Sequence, residues 1–391
     1  MVEYSNQPKN DDLVLGTQAA TPSQAMVLGG LEGVRSRLRS PVASQQVAAL
    51  SEALKYGEAG LDLVIQALSL RSWQVQTAAV SILQERTQPR VRQALLEHNP
   101  YRLFECLATL NGHSAPVLAV ALSPDKQTLA STDEAETIKI WHLRTGKEIQ
   151  TFNHSQGVSC IAWSLDGEAL VTAGRHIHLW NLSTGQIART FGEPANWVNC
   201  FVLSRDGQTL FCGHEDATIR IYALSKGRKV SSLKGNTQPV SCLALSPDEQ
   251  ILVSGTEDIK VWDCKTGREI CAFKEHSYGV NCLAISPNGQ TLFSGSNDYT
   301  IKVWDLRQRQ LIGTLNGHGS SVLSLVVSPD SQTLISSSGD KTIKVWDLRT
   351  RKEIHTLYGH TAWVNTIALR QDGEILVSGS NDGTLKVWGL A

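Results

Sequence analysis

SNDYTIKVWDL (296–306), SGDKTIKVWDL (338–348) and SNDGTLKVWGL (380–390) are three versions of one segment, each 42 residues after the one before. Each has a polar turn followed by alternating polar and apolar residues, which is the pattern of a strand with one buried face. Related segments run through most of the chain at spacings of 39 to 42 residues. They close on the following aromatic residues: Trp141, Trp180, Tyr222, Trp262, Trp304, Trp346 and Trp388.

Each repeat has further features upstream of its aromatic residue. A Gly-His-like pair comes first, at these positions: Gly112–His113, Asn153–His154, Gly192–Glu193, Gly235–Asn236, Glu275–His276, Gly317–His318 and Gly359–His360. In one repeat the nearly continuous apolar run 322–327 predicts a strand buried on both faces. The segments 333–336, 342–346 and 353–357 predict three more strands, separated by Gly, Asn and Asp turns.

A unit of this length with Gly-His and Trp-Asp signatures resembles the WD40 repeat, and seven copies cover roughly residues 103–391. The resemblance implies a mainly β fold, a seven-bladed β-propeller of four-stranded sheets. The last copy ends after its third strand. Because the segment 103–110 matches 310–315 in its position before a Gly-His pair, we expect this N-terminal strand to complete blade seven and close the ring.

Blades five to seven each contain a histidine, a serine, an aspartate and a tryptophan at fixed spacing. These sets are His276, Ser294, Asp298 and Trp304; His318, Ser336, Asp340 and Trp346; and His360, Ser378, Asp382 and Trp388. Ser, His and Asp together also form the triad of many hydrolases, but a nucleophile needs one exposed copy beside an oxyanion hole. The resemblance implies instead a structural hydrogen-bond network in each blade, and no residue is predicted to be catalytic.

The set is incomplete in the first four blades. Blade one has Ala135 where the aspartate is expected, and blade two has no aspartate. Blade three has Glu193, Cys212 and Tyr222 in place of His, Ser and Trp, and blade four has Asn236 in place of His.

Two histidines alternate along one strand of blade two. His176 and His178 therefore share a face. Zinc sites need at least three protein ligands, and no third ligand is evident nearby. We expect an outer, solvated pair and no metal site.

The eight cysteines occupy positions typical of small packing residues. Alignment of the innermost strands places the following residues at one equivalent position: Ala119, Cys160, Cys200, Cys242, Cys282, Ser324 and Thr366. Cys264 and Cys271 are close enough in sequence to raise a disulfide, which we do not expect. Unpaired cysteines fit a reducing compartment.

The first hundred residues differ from the rest. Residues 1–29 are polar and predict a flexible tail. From residue 30 a helical period begins, Ser72 is placed to cap a helix over 73–84, and another helix is predicted over 89–98. The segment 64–80 resembles a short HEAT-like repeat of the kind found in bilin lyases. We therefore predict a tail (1–29), a HEAT-like helical domain (30–100) and a seven-bladed propeller (101–391).

Composition and charge limit the function classes. The 391 residues are 41% hydrophobic and 19% charged, with a formal net charge of -1, which argues against a nucleic-acid partner. No apolar stretch approaches the ~18 residues of a membrane span, and no secretory signal is evident at the N-terminus. We predict a cytoplasmic protein, with peripheral membrane association left open. No cofactor is expected, because no P-loop, GxGxxG, HExxH or paired CxxC motif occurs.

The resemblance implies a non-catalytic scaffold or complex-assembly factor that binds other proteins, as part of a larger complex. In the family, binding positions lie around the Gly-His loops and before the turn aspartate. Here they hold Trp197, Tyr278, Trp363, Glu215, Asn297 and Asn381. Exposed Trp and Tyr are favoured interface anchors; the alternative is that the two tryptophans only cover the inner strands.

Two further hypotheses remain open. The first is a cofactor-handling or lyase-like protein that acts through the HEAT-like domain. The second is an assembly factor of a membrane-associated bacterial energy complex.

Overall fold

The computed structural model describes residues 30–70, 72–154, 157–192 and 196–390, without the side chain of Trp73. The predicted tail (1–29) and Glu193 lie outside these residues. The chain divides into two units, with the boundary between His98 and Asn99. Within the described residues the first unit is helical, and the second contains the strands.

The first unit contains these helices in its described part: α1 (Gly30–Leu38), α2 (Ala43–Ala53), α3 (Gly57–Gln66), α4 (Trp73–Gln84) and α5 (Pro89–His98). The bounds of α4 and α5 are those predicted from the sequence. Apolar residues at helical spacing fill its core, where Val34, Leu50 and Val64 are fully buried. The HEAT-like character of this unit stays a prediction.

The second unit contains seven four-stranded antiparallel sheets. In chain order the strands are β1 (Glu105–Asn111); β2 (Val117–Leu122), β3 (Thr128–Asp133), β4 (Thr137–His142) and β5 (Glu148–Asn153); β6 (Val158–Trp163), β7 (Ala169–Gly174), β8 (Ile177–Asn181) and β9 (Gln186–Phe191); β10 (Val198–Leu203), β11 (Thr209–His214), β12 (Ile219–Ala223) and β13 (Arg228–Leu233); β14 (Cys242–Leu245), β15 (Ile251–Gly255), β16 (Ile259–Asp263) and β17 (Glu269–Phe273); β18 (Val280–Ile285), β19 (Thr291–Ser296), β20 (Ile301–Asp305) and β21 (Gln310–Leu315); β22 (Val322–Val327), β23 (Thr333–Ser338), β24 (Ile343–Asp347) and β25 (Lys352–Leu357); and β26 (Val364–Leu369), β27 (Ile375–Ser380) and β28 (Thr384–Gly389).

These sheets are the blades of a seven-bladed β-propeller. The innermost strand of each blade contacts the innermost strand of the next, from β2 through β6, β10, β14, β18, β22 and β26 and back to β2. Strand β1 pairs antiparallel with β28, so that Leu110 lies opposite Leu385 and Cys106 lies opposite Trp388. Blade seven is thus formed by strands from both ends of the second unit.

The most buried strand of a blade is the second one, which corrects the expectation for 322–327. In blade six, β22 is only partly buried at four of its six positions, whereas every residue of β23 is buried. The physical reason is position, because β22 has one face towards the centre of the ring, whereas β23 is covered on both faces by neighbouring blades.

The cysteines occupy the predicted packing positions. Cys200 lies opposite Gly213 and Cys282 lies opposite Gly295, at the same register in two different blades. All eight cysteines are free thiols, so Cys264 and Cys271 form no disulfide. Burial raises the pKa of the Cys160 thiol to about 12, which leaves it protonated and unreactive at neutral pH.

Pairing of β1 with β28 makes a prediction about stability. Leu110 of β1 is 3% exposed, whereas Leu107 of the same strand is 41% exposed. Leu110→Ala should lower the free energy of unfolding by about 2–5 kcal/mol, because it leaves a cavity in the core between blades seven and one. Leu107→Ala should cost less than about 1 kcal/mol. Urea unfolding of both variants checks this, and equal losses would contradict the pairing.

Candidate functional site

The predicted His-Ser-Asp-Trp residues of blade five form one continuous hydrogen-bond chain. Trp304 Nε1 donates to Ser294 Oγ at 2.9 Å, and Ser294 Oγ lies 2.7 Å from His276 Nε2. His276 Nδ1 lies 2.7 Å from Asp298 Oδ2. The chain therefore links the third strand, the second strand and both loops at one end of the blade.

Blades six and seven repeat this geometry. The corresponding distances are 2.8, 2.7 and 2.7 Å for Trp346, Ser336, His318 and Asp340. They are 2.9, 2.7 and 2.9 Å for Trp388, Ser378, His360 and Asp382.

Every polar hydrogen in the chain is used once if the histidine is neutral. The indole N–H donates to the serine, the serine O–H donates to His276 Nε2, and His276 Nδ1–H donates to the aspartate. Burial lowers the pKa of His276 and so favours the neutral imidazole. Burial opposes ionisation of Asp298, yet hydrogen bonds from Thr300 and His276 bring its pKa down to about 2.

The serines of these sets lie out of reach of a substrate. Ser294, Ser336 and Ser378 are 0% exposed, and each Oγ is already held by a tryptophan and a histidine. The geometry supports the structural reading of the three sets over a Ser-His-Asp triad, which would need an exposed nucleophile.

Blade one also has a complete set, which corrects the expectation that Ala135 leaves it without an aspartate. Asp133, two residues earlier, places Oδ2 2.8 Å from His113 Nδ1. His113 Nε2 lies 2.6 Å from Ser131 Oγ, which accepts from Trp141 Nε1 at 2.8 Å. A carboxylate at the last position of β3 thus replaces one in the turn, and position-by-position alignment missed it.

Blades three and four use other residues in place of the histidine. In blade three the buried Arg220 donates from Nη2 to Asp216 Oδ2 at 2.7 Å. In blade four Ser254 Oγ donates to Asn236 Oδ1 at 3.1 Å and accepts from Trp262 Nε1 at 2.9 Å. The sequence analysis missed Arg220. The available signal was an arginine at the position where blades five to seven have Lys302, Lys344 and Lys386.

The histidines of blade two are not an outer, solvated pair, which corrects that expectation. His178 is 7% exposed and its Nδ1 lies 2.9 Å from Thr190 Oγ1. Its ring centroid is 4.7 Å from that of His154 and 5.9 Å from that of His176. His178 pairs with Thr172 at the register at which Lys302 pairs with Ser294 in blade five, so a histidine stands here where other blades have a lysine. Among the described residues, no group of three or more His, Cys, Asp or Glu side chains is arranged to hold a metal ion.

The six residues predicted to bind a partner lie in the loops at the His-Asp end of the propeller, here called the loop face. Tyr278 is 66% exposed and Trp363 is 51% exposed. Glu215, Asn297 and Asn381 are exposed as well. Trp197 is half-buried and its ring lies against Gly157 of the neighbouring blade. Trp197 therefore partly matches the alternative of a covering residue, whereas Trp363 is largely open to solvent.

Three of these residues are held in the same way in different blades. The backbone N–H of Glu215 donates to Trp197 O at 3.0 Å, and that of Asn381 donates to Trp363 O at 2.9 Å. Asn297 donates likewise to Gly279 O at 3.0 Å. In each of these three blades the backbone of one exposed residue is thus held in the same way on the loop face.

Inner-strand asparagines add a support that the sequence analysis missed. Asn281 Nδ2 donates to Asn297 Oδ1 at 2.7 Å and to Val322 O of the next blade at 3.1 Å. Asn365 Nδ2 makes the equivalent bonds to Asn381 Oδ1 at 2.5 Å and to Val117 O at 2.8 Å. These bonds fix exposed side chains and join neighbouring blades at the same time.

Tyr299 is a further exposed aromatic residue that the sequence analysis did not select. It is 49% exposed and has a φ of 69°, at the turn position that Gly383 occupies in blade seven with a φ of 76°. A bulky residue in this left-handed region costs free energy that no burial recovers here. Gly383 at the equivalent position of blade seven was the signal in the sequence that Tyr299 stands where a glycine is favoured.

The hydrogen-bond chain predicts the effect of removing its central member. Ser336→Ala should lower the free energy of unfolding by about 1–3 kcal/mol, because buried donor and acceptor groups of Trp346 and His318 lose their partner. Ser232→Ala on the exposed β13 should change it by less than about 0.5 kcal/mol. Urea unfolding distinguishes them, and an unaffected Ser336→Ala variant would refute the structural role.

The histidine cluster of blade two predicts a titration. Burial first, and then repulsion from His154 and His176, lowers the pKa of His178 from 6.5 to about 4. Because the folded protein favours the neutral ring, its contribution to stability is full above pH 6.5 and is lost as the pH falls towards 4. NMR titration should place the midpoint of the His178 ring signal, assigned with His178→Asn, near pH 4; a midpoint near 6.5 would show that the ring is solvated.

Comparison with known proteins places this geometry in a family. The serine-threonine kinase receptor-associated protein of Rattus norvegicus is 31% identical over 157 residues, which cover 39% of this chain and 44% of that protein. The angio-associated migratory cell protein of Homo sapiens is 29% identical over 161 residues, which cover 40% of this chain and 36% of that protein. The chain thus spans less than half the length of these relatives.

The family profile described as WD domain, G-beta repeat matches seven segments of the chain. They are residues 104–142, 146–181, 185–223, 227–263, 267–305, 309–347 and 351–389. Each matched segment contains the outer strand of one blade, the three inner strands of the next and the buried aromatic residue of the third strand, and the chain belongs to the WD40 family.

Proposed function

We propose that the chain is a non-catalytic scaffold that binds a partner protein through the loop face. The observation that carries this proposal is the set of exposed aromatic residues Tyr278, Tyr299 and Trp363, which are 66%, 49% and 51% exposed. Aromatic side chains bury a large area at low entropic cost, so they dominate the energetics of many interfaces.

The backbone behind these side chains is held before a partner arrives. Ser277 N donates to Asp298 Oδ2 at 3.1 Å, which ties together the two loops that carry Tyr278 and Tyr299. Ser296 Oγ donates to Tyr278 O at 2.9 Å. Because the loops are already ordered, binding needs little further loss of conformational entropy, which favours affinity.

Three acidic residues of the loop face favour a protein over a nucleic acid as partner. Glu134, Glu215 and Glu257 follow β3, β11 and β15 and are exposed. Their carboxylates would repel phosphate groups and attract basic side chains. Part of the interface is therefore proposed to be electrostatic and sensitive to salt.

The proposal extends to a role in assembling larger protein complexes in the cytoplasm. The name of the relative from Rattus norvegicus describes association with a receptor, which supports protein binding as the shared activity. No helix in the described residues is long and apolar enough to cross a membrane.

Affinity capture from native extract with the tagged full chain tests the proposal. Tyr278→Ala combined with Trp363→Ala should abolish recovery of bound proteins, because both anchors are lost while the fold is kept. Trp197 is left unchanged, since its ring lies against Gly157.

The matched control is Leu165→Ala combined with Ile187→Ala. These residues are 57% and 43% exposed but lie in the turn after β6 and on the outer strand β9, away from the loop face. Capture should persist in this control. Equal recovery by the wild type and the loop-face variant would count against the proposed surface.

A further inference from the structure

Cavities occur between neighbouring blades at the end of the propeller opposite to the loop face. One of about 270 Å³ lies between blades two and three, and one of about 460 Å³ lies between blades five and six. A cavity of about 610 Å³ lies between blades seven and one, where β1 closes the ring. We call this last one the seam cavity; it is lined by β1, β28, the β26–β27 and β2–β3 turns, and the start of the β4–β5 turn.

An arginine crosses each of the two smaller cavities. Arg189 Nη1 donates across the gap to Leu224 O at 3.0 Å and to Ser225 O at 2.6 Å. From the opposite side of the gap in blades five and six, Arg351 Nη1 donates to Ile312 O. These arginines occupy space that a ligand would otherwise fill.

The seam cavity has a small residue at both of the equivalent positions. Ala108 occupies the position that Arg189 has in blade two. Ala108 pairs with Val387, the residue before the buried Trp388, and Arg189 pairs with Leu179, the residue before the buried Trp180. Gly146 occupies the position that Arg351 has in blade six. Gly146 N donates to His142 O at 2.9 Å, and Arg351 N makes the same turn bond to Asp347 O at 2.7 Å. At these two positions no arginine side chain extends across the seam cavity, which explains why this cavity is larger than the other two.

The seam cavity combines an apolar wall with a cationic edge. Its apolar residues are Leu107, Ala108, Leu143, Ile375 and Val387, and its basic residues are Lys126, His142, Arg144 and Arg370. Two of the cations are already paired, because Asp372 lies 3.3 Å from Lys126 and 2.9 Å from Arg370. Arg144 is exposed, and no carboxylate of the described residues forms an ion pair with it.

We propose that the seam cavity is a second protein-binding site, which accepts a short acidic segment of a partner. An apolar side chain of the segment packs against Leu107 and Leu143, and a neighbouring carboxylate pairs with Arg144. The volume falls within the range of about 300–1,000 Å³ that is typical of ligand pockets. Charge complementarity selects an acidic occupant over a basic one. The site does not depend on the loop face.

Selection of displayed random heptapeptides on the full chain tests this site. Peptides that bind the wild type but not Ala108→Arg, which places an arginine where blade two has Arg189, should share a Leu, Ile or Phe next to Asp or Glu. In fluorescence anisotropy with the synthetic peptides, Ala108→Arg should weaken binding at least tenfold. Arg307→Gln, at the position in blade five equivalent to Arg144, should leave it unchanged.

A second variant keeps the test decisive even if Ala108→Arg unfolds, which its melting curve would reveal. Arg144→Gln should remove the preference for a peptide with Glu over the same peptide with Gln. Tyr278→Ala with Trp363→Ala should leave these affinities unchanged, which separates this site from the loop face. Failure to recover any peptide whose binding both Ala108→Arg and Arg144→Gln weaken, a basic shared motif, or no shared motif would overturn the proposal.

Discussion

A buried indole N–H needs a hydrogen-bond acceptor, and most of this propeller is arranged around that need. In six of the described blades the third strand has a buried tryptophan near its end. In five of these six a serine of the adjacent strand accepts a hydrogen bond from the indole N–H. Blade two uses Thr172 instead. The serine hydroxyl in turn donates a hydrogen bond to a histidine or an asparagine. Where the residue is a histidine, its other ring nitrogen donates to a carboxylate. Leaving any member unpaired would cost more free energy than the bond contributes.

The same chain connects the core to the surface. In blades five to seven the carboxylates that end it lie in the turns, where they also accept hydrogen bonds from backbone N–H groups of the Gly-His loops, as Asp340 does from Gly319. The buried hydrogen-bond network therefore fixes the positions of the exposed residues in these loops. Asparagines of the inner strands then join one blade to the next. A partner therefore meets a surface that is ordered by the interior.

The repeat period predicted the propeller because seven copies impose the same strand pattern, whatever the individual residues are. It failed where a blade forms its hydrogen-bond network with residues that differ from those of the other blades. Asp133 is in the wrong register for alignment yet reaches His113, and Arg220 replaces a histidine from another strand. The burial of His178 was missed because it depends on the rings of His154 and Trp180 that pack beside it. The exposure of Trp363 and the half-burial of Trp197 depend on the neighbouring blade, which a period cannot describe.

Strand β1 is made before the other strands of the propeller, and its partner β28 is made after them. During synthesis the six blades between them can form in turn, but blade seven stays incomplete until β28 has been made. An interrupted product therefore carries unpaired strand edges, which other chains can extend by β-pairing. The nascent propeller therefore stays open to such pairing until β28 has joined β1.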